Sequence, residues 1–258
     1  MGGINEGKIG EDAMSRAIQT LNNYKQKCID FQTEEIYAFG TSAVRSASNK
    51  WEFLMRVKQE AGLIIQVISG MQEAELIYAG VSSGYEFETN GLIMDIGGGS
   101  TEFIWADGKG IKEAASFEVG VSRIYQLYQF DDPYSANDIS KVERYLDQQI
   151  GSFFESVNTD ILIGASGSFE TFYELVHEQP YPDNVYMELD REQIMPALEK
   201  IIHSTQAERD ENPHIIPIRK KMAPIAAIKI QWIMRKLDIS KIVISPYSLK
   251  EGVIETLR

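Results

Sequence analysis

Residues 91–105 place three neighbouring glycines between two acidic residues and two apolar segments. Apolar residues precede Asp95, and an alternating apolar pattern follows Glu102. The pattern predicts two strands joined by the glycines, which argues against the strand-to-helix turn of a Walker-type loop. Because glycine has no Cβ, this turn can point successive backbone N–H groups at one phosphate. Asp95 and Glu102 are close enough in sequence to hold a hard divalent cation beside it.

The glycines also allow a simpler interpretation. They could form an ordinary hairpin in which glycine is needed only because the turn has positive φ angles. Short glycine motifs often match by chance. The loop alone therefore leaves phosphate binding and a plain hairpin both open.

A second glycine turn follows the predicted strand 159–164. Ser166 and Gly167 lie where that strand ends and the predicted helix 169–176 begins. The amides at a helix N-terminus can bind an anion, so these two residues are a second candidate phosphate site. The alternative is a tight strand–helix junction that needs glycine for space.

The elements around these turns predict an α/β fold. The first part alternates a helix at 11–27, a strand at 35–39, a helix at 49–61, a strand at 63–68 and a helix from Glu73 to residue 79. Such alternation favours parallel strands with helices on the sheet faces. A third strand at 114–119, a helix from Ser135, a mostly apolar helix at 222–237 containing Lys229, a strand at 241–245 and a closing helix from Leu249 follow.

Two further patterns refine this organisation. Ser135 and Asp138 have the spacing of a capping box at the start of a long amphipathic helix. The polar, turn-rich segment 82–90 predicts a boundary between a first domain, residues 1–88, and a second domain, residues 89–258. The last helix could pack back on the first domain.

Composition excludes several classes of protein. The chain has 258 residues, of which 43% are hydrophobic and 24% charged, as in ordinary globular proteins. A net charge of −13 disfavours non-specific nucleic-acid binding. One cysteine excludes a disulfide framework, and three scattered histidines form no zinc motif, so a cytoplasmic location is expected. No apolar run approaches the roughly 20 residues needed to span a bilayer.

Three segments together resemble the signatures of the exopolyphosphatase / guanosine pentaphosphate phosphohydrolase family, in order and spacing. They are residues 41–49 (TSAVRSASN), 68–78 (ISGMQEAELIY) and 94–102 (MDIGGGSTE). Residues 164–168 and 247–253 are similar to later motifs of that family. The resemblance implies a two-domain actin-like, sugar-kinase-like and heat-shock-ATPase-like fold that binds phosphates between its domains.

The resemblance also implies roles for individual residues. Glu73 matches the glutamate regarded as the catalytic base, while Asp95 and Glu102 match positions associated with Mg²⁺ and phosphate. The expected phosphate contacts are Gly97, Gly98, Gly99, Ser100, Ser166, Gly167 and Arg45. The implied reaction is removal of the terminal phosphate from inorganic polyphosphate or guanosine pentaphosphate by in-line attack of water. Without the neighbouring motifs, Glu73 could be only a favourable helix N-terminal acid and Arg45 only a surface ion pair.

The sequence also departs from the family pattern. Family members normally begin with a strand, a phosphate loop and a second strand, and these precede the segment that matches residues 3–9. The first domain is therefore expected to lack its N-terminal strands in the sequence as given. One alternative function is then a catalytically impaired protein that binds polyphosphate or an alarmone. A phosphotransferase is a third possibility, although Glu73 and Arg45 disfavour it. Family members of this type often form homodimers.

Overall fold

The computed structural model describes residues 6–257, and the chain divides into two compact units, Met1–Gly70 and Met71–Arg258. This division differs from the predicted boundary after residue 88. The reason is that helix α4 (Gly70–Ser82) buries Ala74, Ile77 and Val81 against strands of the second unit. Compactness and domain ancestry are different properties, so the predicted domain boundary stays a prediction.

The described part of the first unit, residues 6–70, contains three α-helices and two short parallel strands. Its elements are α1 (Glu11–Asp30), β1 (Ala38–Gly40), α2 (Ser42–Arg45), α3 (Lys50–Glu60) and β2 (Ile65–Val67). Strands β1 and β2 pair with Ala38 opposite Ile65. Met14 and Ile18 of α1 share a small core with Phe53 and Val57 of α3. The alternation predicted for this region is confirmed, with the addition of the short helix α2.

The second unit is built on a six-stranded sheet with helices on both faces. Its remaining elements are β3 (Gly91–Ile96), β4 (Thr101–Asp107), β5 (Gly110–Phe117), α5 (Val121–Leu127), α6 (Ala136–Ile150), β6 (Ile161–Gly164), α7 (Gly167–His177), β7 (Met187–Asp190), α8 (Arg191–Ile202), α9 (Gln206–Glu211), α10 (Ala223–Lys236), β8 (Lys241–Ile244) and α11 (Leu249–Leu257).

The strand order is β5-β4-β3-β6-β8-β7. Strands β3, β6 and β8 are parallel, while the other pairings are antiparallel. Leu92, Met94 and Phe103 point into a large core on one face, which includes buried residues of α6, α7, α8 and α10. Ile93 and Ile104 point into the core under α4 on the other face. Both faces are therefore covered, which explains the continuous apolar runs of the central strands.

Helices α4 and α11 approach each other closely at two glycines. A Cβ on Gly80 would lie 2.0 Å from the carbonyl oxygen of Ser248, and a Cβ on Gly252 would lie 1.7 Å from that of Leu76. Only glycine fits such an approach. The contact fixes the start of α11 beside α4.

The capping box predicted for α6 is confirmed. The Ser135 side chain accepts from the Asp138 amide, and the Asp138 side chain accepts from the Ser135 amide. Within the described part of the chain, no helix is long and apolar enough to cross a membrane.

Candidate functional site

Two carboxylates lie opposite each other on one face of the sheet, and a third lies within electrostatic range of them. Asp95 on β3 lies directly opposite Glu102 on β4, so both side chains project from the same face. This is the face covered by α4, and Glu73 lies buried in the first turn of that helix. The charge of Glu73 contributes to the pKa of both Asp95 and Glu102. The structure therefore places Glu73 within electrostatic range of the acids that flank the triple glycine, as the sequence predicted.

The two sheet carboxylates are held mainly in apolar surroundings. Burial raises the pKa of Asp95 to about 7, and the charge of Glu73 raises it further, while a hydrogen bond from Ser248 opposes the shift. Burial and the charge of Glu73 raise the pKa of Glu102 to about 8, against a hydrogen bond from Ser116. Near neutral pH both groups can therefore exchange protons.

Two serine hydroxyls orient these carboxylates. Ser248 Oγ donates to Asp95 Oδ2 at 2.6 Å, and Ser116 Oγ donates to Glu102 Oε1 at 2.6 Å. Ser248 directly precedes α11, and the close packing of α11 on α4 fixes its place. Neither serine was singled out from the sequence. Ser248 lies inside the motif 247–253, which was the only available signal.

The glycine loop, residues 97–100, turns its carbonyl groups towards the start of α5. Gly97 N–H donates to the Ser100 carbonyl at 3.1 Å and closes the hairpin. Four amides at the start of α5 then donate to the loop carbonyls, namely Val121 to Gly97, Ser122 and Arg123 to Gly98, and Gly120 to Gly99. A Cβ on Gly120 would lie only 2.3 Å from the Gly98 oxygen, so this approach also requires glycine.

The same bonds determine where the loop amides point. In a trans peptide the C=O and N–H groups point in opposite directions. The N–H groups of Gly98, Gly99 and Ser100 therefore point away from α5, and no acceptor in residues 6–257 is hydrogen-bonded to them. Successive amides on one side of a loop form an anion-binding concavity. None of the three glycines has a positive φ, so the simpler hairpin interpretation does not account for them.

The second glycine turn is used differently. Ser166 Oγ accepts a hydrogen bond from the Ile96 amide at 3.2 Å and so ties the start of α7 to the end of β3. Gly167 lies under a guanidinium, because a Cβ there would meet Arg219 Nη2 at 1.6 Å. Gly164 packs against the ring of Phe169. Space explains these two glycines, and phosphate binding by Ser166 and Gly167 stays a prediction.

Arg219 is a candidate that the sequence analysis missed. Its Nη1 donates to Thr171 Oγ1 at 3.0 Å, and burial lowers its pKa. It lines a cavity of about 40 Å³ together with Ser168 and Met222. The available signal was the basic run at 219–221 in a strongly acidic protein.

Arg45 belongs to the first unit, where its Nη1 donates to the Ile68 carbonyl at 3.2 Å. This bond ties α2 to the end of β2. The predicted phosphate contact of Arg45 stays a prediction.

Lys229 is the second basic residue whose importance the sequence did not show. It is fully buried on α10, donates to the Val119 carbonyl at 2.6 Å and is hydrogen-bonded to Thr101 Oγ1. Burial lowers its pKa to about 7, and the charges of Glu102 and Asp95 oppose that shift. Its ammonium therefore lies behind the glycine loop.

Asp95 and Glu102 suit a cation that completes its coordination shell with water and phosphate oxygens. The described residues contain no group of three or more His, Cys, Asp or Glu side chains arranged to hold a metal. Mg²⁺ in proteins commonly binds through one or two carboxylates and completes its shell with waters and substrate phosphates. Ser248 occupies only Oδ2 of Asp95, so Asp95 Oδ1 is a candidate ligand, whereas Ser116 and Ser100 both hydrogen-bond Glu102, which could act directly or through water.

Comparisons with known proteins show which proteins this chain resembles over nearly its whole length. Exopolyphosphatase 1 of Mycobacterium leprae is 26% identical over 255 residues, which cover 96% of this chain and 75% of that protein. The crystal structure of an exopolyphosphatase from Cytophaga hutchinsonii superposes with a TM-score of 0.95 at 33% identity, over 99% of this chain and 85% of that one. The Aquifex aeolicus member of the Ppx/GppA family superposes with a TM-score of 0.81 at 25% identity, over 99% and 84% of the two chains.

These matches confirm the predicted α/β fold, which the chain shares with the solved structures of Ppx/GppA proteins. The sequence model of the Ppx/GppA phosphatase family matches residues 3–257. The chain belongs to the Ppx/GppA phosphatase family.

Proposed function

We propose that this protein is a phosphoanhydride hydrolase of the exopolyphosphatase type. Its substrate would be inorganic polyphosphate or guanosine pentaphosphate, from which it removes the terminal phosphate. The observation that carries the proposal is that Glu73 lies within electrostatic range of the paired Asp95 and Glu102, which flank a loop with three outward N–H groups. This arrangement combines a candidate anion site, candidate metal ligands and a candidate base.

Phosphate binding is assigned to the glycine loop. The amides of Gly98, Gly99 and Ser100 would donate to the oxygens of the terminal phosphate, where backbone dipoles offset negative charge without any rearrangement. Arg45, Arg219 and the turn at Ser166 and Gly167 would contact further phosphate oxygens. A guanidinium can bind phosphate through two parallel hydrogen bonds.

Asp95 and Glu102 would hold Mg²⁺ directly or through water. When bound, the ion neutralises charge on the phosphate oxygens and on the leaving group. Ser248 and Ser116 keep the two carboxylates oriented for this task. The bound ion would thereby allow a polyanion to bind to a protein whose net charge is −13.

Glu73 would act as the general base. It would accept a proton from a water molecule as the water oxygen forms a bond to the terminal phosphorus and the anhydride P–O bond breaks. The products are orthophosphate and a substrate shortened by one phosphate. Its place at the start of a buried helix is fixed by the packing of Ala74 and Ile77. A positioned base typically contributes 10²–10⁴-fold to the rate.

The test is phosphate release in the presence of Mg²⁺, from long-chain polyphosphate and from guanosine pentaphosphate. Glu73→Gln should lower kcat at least about a hundredfold and leave ligand affinity unchanged, because it removes the base and keeps the shape. Glu75→Gln is the matched control, because Glu75 lies exposed on the same helix and the charge change is the same.

Two results would overturn this assignment. Tight binding of either ligand without phosphate release would make the protein a binding module. Equal losses of affinity and turnover in Glu73→Gln would give Glu73 a structural role. We also propose, from the family resemblance, that the protein is a homodimer, which light scattering on the purified protein would test.

A further inference from the structure

Lys229 is a fully buried charged residue on a mostly apolar helix. Its side chain is 0% exposed, and the flanking Ile228 and Ile230 are equally buried. Lysine is almost never fully buried unless it is paired, because removing its ammonium from water costs free energy. The helix packs as a core element without needing a charge at this position. The lysine therefore calls for an explanation beyond core packing.

Its hydrogen-bond partners flank the glycine loop. Thr101, whose hydroxyl contacts Nζ, is the first residue after the loop. Val119, whose carbonyl accepts from Nζ at 2.6 Å, directly precedes Gly120. Both partners are fully buried. One ammonium thus joins the strand that leaves the loop to the segment that binds the loop carbonyls.

The orientation of the loop depends on that junction. The segment after Val119 holds the three loop carbonyls through amides at 2.9–3.2 Å. If Thr101 moved relative to Val119, the loop peptides would rotate and their N–H groups would no longer point the same way. Hydrogen bonds weaken steeply as their angle departs from linearity, so a small rotation would reduce anion binding.

We propose that Lys229 is a positioning residue for phosphate binding, which joins Thr101 to Val119 and so keeps the amides of Gly98, Gly99 and Ser100 aimed at one phosphate group. This inference rests on the proposed function in taking the glycine loop as the phosphate site. Its ammonium also places a positive charge behind the loop in a medium of low dielectric constant, which favours an anion in front of it.

The test compares two buried polar residues of α10. Lys229→Met keeps the length of the side chain and removes both the charge and the donors. Gln231→Met is the matched control. Gln231 is 3% exposed, and its Nε2 donates to Glu199 Oε1 at 2.6 Å, on α8 rather than at the loop. Both variants should lower the melting temperature, because each leaves a partner without its hydrogen bond.

Ligand binding should separate the two variants. The affinity of the intact protein for tripolyphosphate in the presence of Mg²⁺ would be measured by calorimetry. Lys229→Met should raise the dissociation constant at least tenfold, whereas Gln231→Met should stay within twofold of the unsubstituted protein. Equal affinities of Lys229→Met and the unsubstituted protein would overturn the proposal, and so would equal losses in both variants.

A second pair of variants covers the case in which Lys229→Met does not fold. Thr101→Val removes only the hydroxyl that contacts the ammonium, and Thr101→Ser restores it. The valine variant should bind tripolyphosphate several-fold more weakly than the serine variant. Equal affinities of the two would contradict a role for this contact.

The readout also distinguishes this inference from the proposed reaction. If the unsubstituted protein binds tripolyphosphate but releases no phosphate, the hydrolase proposal fails, while the affinities of the variants still decide the role of Lys229. If the unsubstituted protein does not bind tripolyphosphate, the loop is not a phosphate site and the positioning role of Lys229 is overturned with it.

Discussion

The two glycine turns of the second unit look similar in sequence and differ in structure. The carbonyls of the glycine loop accept hydrogen bonds from amides at the start of α5, and three N–H groups of the loop point to the opposite side. At the second turn, Ser166 receives the Ile96 amide and Gly167 lies under the guanidinium of Arg219. The first turn therefore presents backbone donors, whereas the second presents a side-chain cation.

The difference shows that glycine is required for distinct physical reasons. None of these glycines has a positive φ. Beside the first turn, Gly120 lets the start of α5 approach the glycine loop and so sets the direction of the loop's peptide planes. At Gly164 and Gly167 glycine leaves room for the Phe169 ring and for the Arg219 side chain. Only the first use leaves successive backbone N–H groups on one side of a loop, which is the geometry that an anion site requires.

Adding one methyl group at each turn is the strongest test of this comparison. Gly120→Ala would place its Cβ 2.3 Å from the backbone oxygen of Gly98, which cannot move without displacing the loop. Gly167→Ala would meet the end of a flexible arginine side chain, which can shift. We expect Gly120→Ala to lower kcat/KM for polyphosphate about a hundredfold or more, and Gly167→Ala to lower it about tenfold or less.

Steady-state phosphate release and the dissociation constant for tripolyphosphate would be measured for both variants. A Gly167→Ala loss equal to that of Gly120→Ala would mean that the second turn is as important as the first. Unimpaired Gly120→Ala would remove the backbone amides from the proposed site.

The charges next to the first turn give the second prediction. Asp95→Asn removes a candidate metal ligand and keeps an oxygen that can accept from Ser248. We expect the Mg²⁺ concentration for half-maximal activity to rise about tenfold, while kcat at saturating Mg²⁺ falls less. Unchanged metal dependence would exclude Asp95 from the ligand set.

The same substitution should change how stability depends on pH without metal. Because the pKa of Asp95 is raised to about 7, the folded protein keeps a proton that the unfolded chain loses near pH 4. Stability should therefore fall as pH rises from 5 to 7. Lys229, whose pKa is lowered to about 7, acts in the opposite direction only above pH 7.

The shift of the Asp95 pKa from 3.8 to about 7 would correspond to roughly 4 kcal/mol of unfolding free energy. Asp95 is only partly buried by its accessible surface, so we expect about 2 kcal/mol of relative gain for Asp95→Asn between pH 5 and pH 7. Urea unfolding at the two pH values would measure it. Asp107→Asn is the control, because the pKa of Asp107 is lowered and its removal should give no such gain. A gain that does not depend on pH would contradict the raised pKa.

Much of the second unit could be predicted because its signals are local. Helix α6 carries a capping box and an apolar stripe of Val142, Leu146 and Ile150, all within one segment. The helices and strands at 159–177 and 223–257 were likewise found to within a few residues of their ends. The segment 177–221 was left without predicted elements. Strand β7 is a four-residue edge strand defined by its pairing with β8, and α8 contains Pro196.

The residues of the candidate site also differ in whether a local sequence pattern marks them. Glu73, Asp95 and Glu102 were identified because their motifs lie close together in sequence and resemble a known family. Ser248, Lys229 and Arg219 reach the site from elements more than 100 residues after the glycine loop. No local pattern marks a buried lysine as a partner of Thr101. Such contacts exist only once the sheet order brings the elements together.

The smallest expected effect concerns the contact that joins the two turns. Ser166→Ala removes the acceptor of the Ile96 amide and leaves the amides of the glycine loop unchanged. The loss of one neutral hydrogen bond costs about 1 kcal/mol of stability, and we expect kcat/KM for polyphosphate to fall less than about fivefold. Thermal unfolding and phosphate release would be compared with Ser168→Ala, which removes a hydroxyl from the first turn of the same helix. If Ser166→Ala instead lost activity as severely as Gly120→Ala, the Ser166 hydroxyl would contribute as much to substrate binding as the amides of the glycine loop, and the two turns would be of equal importance.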